Sequence, residues 1–240
     1  MSLNGPISHD IVFTILECFI FEYINTIPSL PFSFDIMDPT WQHPFSAIVS
    51  GPSGCGKTQF TLRFIDNLEH MVNPSIDKIL WCYGIYQDIF DKHPLIQFHE
   101  GLPDLNVFDG KERTMLVLDD LMSETDERVT KIFTKISHHR NVSVLYLTQN
   151  LFYKGKHTRT ISLNAHYLVL FKNVRDSTQV ANLARQMFPG KANFMLEAFG
   201  DATMVLFGYL LVDLRQETDE RCRLRTSIFP GETHYVYVRK

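Results

Sequence analysis

From Phe45 onward the chain alternates between two textures of hydrophobic and polar positions. One is the short unbroken apolar run: FSAIVS at 45–50, KILWCY within 77–84, TMLVLD from Thr114, VSVLYLT from Val142 and AHYLVLF at 165–171. These runs are too short for buried helices and rich in β-branched and aromatic residues, so they predict strands covered on both faces. The other texture is apolar residues at helical spacing. It occurs in QFTLRFIDNLEHMV at 59–72, around Tyr86–Asp91, from Asp126 to His138, and in DSTQVANLARQMF at 176–188, where Pro189-Gly190 ends it. In the 126–138 segment Val129, Ile132, Phe133 and Ile136 share one face. The runs ATMVLFGYLLVDL at 202–214 and HYVYV at 234–238 predict late strands. Buried strands alternating with helices predict an α/β fold with a mainly parallel sheet between helices.

The segment before Phe45 reads differently. Ile11–Ile20 is apolar but broken by Glu17, with Glu22 close behind. It is short for a membrane span, which needs about 20 residues, and it lacks the basic start and small-residue cleavage site of a secretory signal. We read it as an amphipathic or buried helix, closed by Pro28 and Pro31. The expected organisation is a short helical appendage with linker over 1–38 and one domain over 39–240.

Three strand ends carry chemistry. The first run leads into Gly51-Pro52-Ser53-Gly54-Cys55-Gly56-Lys57-Thr58 and then a helix. This matches the phosphate-binding loop, in which backbone N–H groups wrap phosphates, the lysine reaches the β/γ oxygens and the threonine hydroxyl holds magnesium. Glycine is required where the backbone adopts unusual angles close to the ligand, and the helix N-terminus faces the anion. Cys55 needs no chemical role there and is read as a small filler. The second end is MLVLDD, which places Asp119 toward the magnesium shell and Asp120 one residue nearer an attacking water. One strand candidate lies between these two motifs, so the loop strand and the acidic strand are not sequence neighbours. That arrangement belongs to ATPases with an added catalytic carboxylate. The third is Gln149, a polar tip able to orient water or sense a γ-phosphate.

Composition narrows the partners. With 240 residues, 45% hydrophobic and 21% charged, the chain can build a core without disulfides or metals and is not disordered. Net charge is −4, so no global basic field advertises nucleic acid or membrane. The four cysteines are scattered with no CxxC pair, which fits a reducing compartment. The adjacent His138 and His139 point to different sides and offer no third ligand for a metal.

These motifs carry a resemblance. WQHPFSAIVSGPSGCGKTQF, TMLVLDDL, LYLTQN and LFKNVRD resemble the FtsK–HerA branch of P-loop ATPases. Within it they look like the viral genome-packaging ATPases, in the versions carried by Maverick/Polinton-type elements and adintoviruses. The resemblance covers about 39–197. It implies a RecA-like core, subunits assembled in a ring, and ATP hydrolysis with Mg2+ that drives double-stranded DNA into a capsid, docked on a capsid or portal protein. It also implies a location inside a host cell, nucleus or cytoplasm, or with the virion, without secretion or membrane insertion. Carried over by position, the phosphate loop falls on Gly51–Thr58, the magnesium carboxylate on Asp119, the catalytic carboxylate on Asp120 and the sensor on Gln149. Many relatives have Glu where this chain has Asp120, which is one methylene shorter.

Ring ATPases of this kind also lend an arginine to the neighbour's γ-phosphate. Arg140, just before the Gln149 strand, sits where the packaging family places it, with Arg159 and Arg175 as rivals. Arg140 precedes Gln149 by nine residues, or about 30 Å of extended chain, too far to serve its own nucleotide. Lys154, Lys156, His157 and Arg159, flanked by Phe152 and Tyr153, form the densest basic stretch and the candidate contact to a DNA backbone. Two other activities use the same loop: a nucleotide or polynucleotide kinase, and an ATP-switched scaffold with little turnover.

Overall fold

The computed structural model of the chain describes residues 39–121, 127–151 and 156–239, together with the backbone of 12–14. Its strands are β1 (Val12–Thr14), β2 (Trp41–Gln42), β3 (Ser46–Ser50), β4 (Val72–Asn73), β5 (Lys78–Tyr83), β6 (Gln97–Glu100), β7 (Thr114–Asp119), β8 (Val142–Thr148), β9 (Tyr167–Phe171), β10 (Tyr209–Asp213), β11 (Leu224–Thr226) and β12 (Tyr235–Tyr237). The helices are α1 (Lys57–Asp66), α2 (Leu68–Met71), α3 (Glu127–Lys131), α4 (Ser137–His139), α5 (Lys156–Leu163), α6 (Thr178–Met187) and α7 (Ala192–Ala202). A wide π turn at Ile132–Ile136 joins α3 to α4.

Among the described residues ten strands form one sheet in the order β1-β12-β11-β10-β9-β3-β8-β7-β5-β6. The six from β9 to β6 are mutually parallel, and the four from β10 to β1 add antiparallel on the β9 side. Alternate residues of each central strand enter opposite cores. On one face Ile48, Leu116, Leu118, Val144 and Tyr146 pack with Val129, Ile132, Phe133, Ile136 and residues of α6 and α7. On the other, Ala47, Val49, Met115, Val117, Leu145 and Leu147 meet Phe60 and Phe64 of α1 and Trp41. Burial on both faces explains why these strands read as unbroken apolar runs.

The segment that leads into β3 closes the second core. Trp41 stacks on Tyr167 at 4.0 Å between ring centroids and meets Phe45 and Phe64 at 5.1 and 4.7 Å. His43 bridges Ser143 Oγ (2.6 Å) and Asn141 Oδ1 (2.9 Å), tying this segment to the start of β8, and burial holds its pKa below the usual value.

Three differences from the sequence reading have physical causes. Most of the helix expected over 11–20 lies outside the described residues, but its Val12–Thr14 portion is a strand paired antiparallel with β12. An unpaired sheet edge is a template for another strand. The run at 202–214 is not one strand: α7 extends to Ala202, Met204–Phe207 is an exposed apolar turn, and the strand starts at Tyr209. Gly208 breaks the run, since a Cβ there would lie 2.3 Å from the Ala202 carbonyl oxygen. Finally β6, β11 and α7 carry no clear periodic signal. β6 is a largely exposed edge strand, and β11 buries Arg225 against the fully buried Asp213, with Arg225 Nη2 donating to Asp213 Oδ2 at 2.8 Å. No described helix is long and apolar enough to cross a membrane.

Candidate functional site

The C-terminal ends of β3, β8 and β7 lie side by side, and each carries one of the motifs. Ser50 is level with Thr148, and Asp119 with Leu147. Gly51, Gln149 and Asp119–Asp120 therefore line one edge across roughly 10 Å, two strand spacings. β8 is the inserted strand between the loop strand and the acidic strand, whereas β5, the strand that lies between the two motifs in sequence, pairs on the far side of β7.

The loop is built to wrap an anion. The Gly51 N–H donates to the Thr148 carbonyl (3.1 Å), fixing the loop to β8, and Cys55 N–H closes a turn on the Pro52 carbonyl (3.3 Å). Gly54 and Gly56 have φ of 77° and 106°, left-handed values that favour glycine. Gly51 is fixed by space instead, because a Cβ would lie 2.6 Å from Cys55 Sγ and 2.7 Å from Phe171 Cβ. Cys55 is thus packing, and burial pushes its thiol pKa up, away from nucleophile behaviour. Lys57 Nζ folds back to donate to the carbonyls of Gly51 (2.7 Å) and Pro52 (3.0 Å), poised over the cradle. Lys57 and Thr58 begin α1, and the Phe60 N–H takes the first turn's bond to Gly56 O (2.8 Å).

Asp119 is 6% exposed, and its Oδ2 is buried without a hydrogen-bond partner. Burial raises its pKa to about 6; Asp120 pushes the same way, while Lys57 pulls down. The Trp81 side chain also pulls down, although its buried Nε1 makes no hydrogen bond of good geometry. A buried carboxylate oxygen with no donor, beside a second carboxylate, is a natural cation ligand, and Thr58 and Asp119 are the side chains that would hold magnesium. Asp120, just past the end of β7, is exposed and left-handed (φ 52°). The neighbouring β5 leaves room for this turn only through Gly84, where a Cβ would meet the Asp120 carbonyl oxygen at 3.0 Å.

Gln149 is exposed at the tip of β8, and the residues after it are clamped from α6. Gln179 Oε1 accepts from Leu151 N–H (2.7 Å), while Gln179 Nε2 donates to Asn150 Oδ1 and to Asp176 Oδ2 (2.7 Å). Gln149, Gln179 and Asp176 line one small cleft with Ser50 and Gly51. Sequence reading missed this clamp. The spacing of Asp176 and Gln179 marks only a helix start, and the partners that make the clamp, Leu151 and Asn150, lie 28–29 positions away.

The arginines separate. Arg140 lies at the opposite edge of the sheet from the loop, its Nη1 donating to the Phe108 carbonyl (2.6 Å). Arg175 is exposed in the turn after β9, at the nucleotide edge, and Arg159 is exposed on α5. The side chain of Lys156 and all of Lys154 fall outside the described residues, as do Phe152 and Tyr153.

No protein-family model matches the chain, and no curated protein matches its sequence. Solved structures do match it. The genome packaging NTPase B204 from Sulfolobus turreted icosahedral virus 2, in complex with AMPPCP, aligns at TM-score 0.50 and 10% identity, over 73% of this chain and 95% of that one. The same protein with ATP-gammaS aligns at 0.49 and 13%, over 76% and 96%. A KaiC-like protein, PH0186, from Pyrococcus horikoshii OT3 aligns at 0.38 and 12%, over 82% and 91%. The mainly parallel sheet, the loop at the end of β3 and the AMPPCP-complex match together make this a RecA-like P-loop NTPase fold.

Proposed function

We propose that this chain is an ATP-hydrolysing motor that translocates double-stranded DNA into a capsid, acting as a ring and docking on a capsid or portal protein. The observation that carries the reading is the order of the strand tips: phosphate loop, polar sensor, acid pair, on β3, β8 and β7. Lys57 would bind the β/γ oxygens once its two loop carbonyls release it. Bound magnesium would neutralise phosphate charge as a Lewis acid. Asp120 would take the proton of an attacking water on its carboxylate, and Gln149 would orient that water. Arg140 would reach the site of a neighbouring copy. Packaging is inferred from the resemblance of the quoted motifs to the packaging ATPases, including those of Maverick/Polinton-type elements, and B204 is itself a genome packaging NTPase.

Steady-state ATPase with and without double-stranded DNA, run beside a mass measurement of the oligomer, tests the reading. DNA-stimulated hydrolysis by a ring is the expected result. Phosphate appearing on a nucleoside or a DNA end would make the protein a kinase. Assembly on ATP with negligible turnover would make it a scaffold.

A further inference from the structure

Four consecutive apolar residues stand in solvent at the nucleotide edge. Met204 is 74% exposed, Val205 69%, Leu206 84% and Phe207 59%. Free apolar surface of this kind marks an interaction site. The turn is rigidly made rather than a loose loop: Met204 N–H donates to Asp201 O (3.0 Å), Gly208 N–H to Val205 O (3.0 Å), and Thr203 Oγ1 to Phe199 O (2.7 Å). Phe207 is held at φ 60°, a left-handed conformation that a bulky side chain adopts only when its surroundings impose it.

Its inner side touches the phosphate loop. A Cβ on Gly56 would lie 3.2 Å from Phe207 Cδ1 and 3.5 Å from Phe171 Cε1. Beside the same glycine Phe171 packs against Phe60 and Tyr209 at 6.1 and 5.8 Å between centroids. A nucleotide gripped by its phosphates at Gly51–Thr58 must project its sugar and base out of the loop. The turn is apolar, aromatic and in contact with the loop's last glycine.

We propose that Phe207, carried by the 204–207 turn, is the platform on which the base of a bound nucleotide stacks. The proposal rests on the reading of Gly51–Thr58 as a phosphate site. Contact with the loop favours the base over a second copy of the chain as occupant, because a ligand already anchored at Gly56 reaches Phe207 without any assembly. Aromatic stacking is tolerant of base identity, so the platform adds affinity for nucleotides in general over bare phosphates.

The test compares ATP with inorganic tripolyphosphate, both with magnesium, on the full chain by titration calorimetry. The wild type should bind ATP more tightly than tripolyphosphate. Phe207→Ala should lose about tenfold or more in ATP affinity with tripolyphosphate unchanged, and Phe207→Tyr should retain ATP binding. Leu206→Ser, at a more exposed position of the same turn, serves as a milder second variant and should weaken ATP alone. Equal losses for ATP and tripolyphosphate in Phe207→Ala would mean a distorted loop and overturn the platform. Unchanged ATP affinity with reduced self-association would assign the turn to a subunit contact and also overturn it. Equal wild-type affinity for the two ligands defeats the platform alone, whereas binding of neither defeats the phosphate-site reading beneath it.

Discussion

Asp119 holds a charge in a place that disfavours charge. Its pKa of about 6 lies above the ordinary 3.8, so between those values the folded protein keeps a proton that the unfolded chain has released. Stability therefore falls as pH rises through that window, and the full penalty stands above about pH 6. Asp119→Asn removes the penalty. In a chelator, at pH 7.5, it should raise the unfolding free energy by on the order of 2–3 kcal/mol, with the gain vanishing below about pH 4. Equal melting of the two chains at pH 7.5 would show that the carboxylate is not under strain. The same variant should lose hydrolysis, the usual exchange of stability for function. Its neighbours divide the remaining work. Lys57→Ala should abolish hydrolysis and weaken ATP binding, because the cation on the phosphates is gone. Asp120→Asn should keep ATP binding and lower kcat by a factor of about 10²–10⁴, the range of a lost general base. Hydrolysis by Asp120→Asn at the parent rate would move water activation to another group.

At the level of elements, the sheet and the three motif tips were legible because their causes are local. Doubly buried strands leave apolar runs, and the loop needs glycines at fixed spacing. Elements whose causes are distant were not legible. β6 is a polar edge strand, and β11 reads as charged because Arg225 is matched by Asp213 from another strand. The turn at 204–207 was misread as strand because its apolar residues face solvent, where pattern rules expect polar ones. The Gln179 clamp likewise spans 28–29 positions of sequence before it reaches Leu151 and Asn150. It fixes the chain on the far side of Gln149, while the Gly51–Thr148 bond fixes the near side. Gln179→Ala should therefore leave the KM for ATP unchanged and reduce kcat about tenfold, the loss of one or two positioning hydrogen bonds. Combined with Gln149→Ala it should add little further, since both changes remove one function. Full additivity of the two would make the clamp a stability feature unrelated to the sensor.

The whole molecule is acidic, yet the proposed cargo is a polyanion. A net charge of −4 leaves only local cations to meet DNA, and affinity should rise as copies of the 154–159 segment converge in a ring. Neutralising Lys154, Lys156 and Arg159 together should flatten the dependence of DNA binding on salt, because fewer counterions are released. An unchanged slope would move the contact to another surface. In the proposed ring, assembly would also decide where an Arg140 finger acts. The loop, acids and sensor come from one chain's strand tips, whereas Arg140 sits at the opposite edge of that sheet, held by the Phe108 carbonyl. Nine residues separate it from Gln149, about 30 Å of extended backbone, and an arginine side chain spans a small fraction of that. It can serve a nucleotide only if a neighbour brings one to it. Arg140→Ala and Lys57→Ala chains should each be inactive alone for different reasons, one lacking the finger and the other the phosphate lysine. In a mixed ring, an interface pairing the loop of the first with the finger of the second is complete. Titrating one variant into the other should restore part of the ATPase, with a maximum at intermediate ratios. No recovery at any ratio, with mixed rings confirmed by mass, would remove Arg140 from the role and direct the search to Arg175, which already stands at the nucleotide edge.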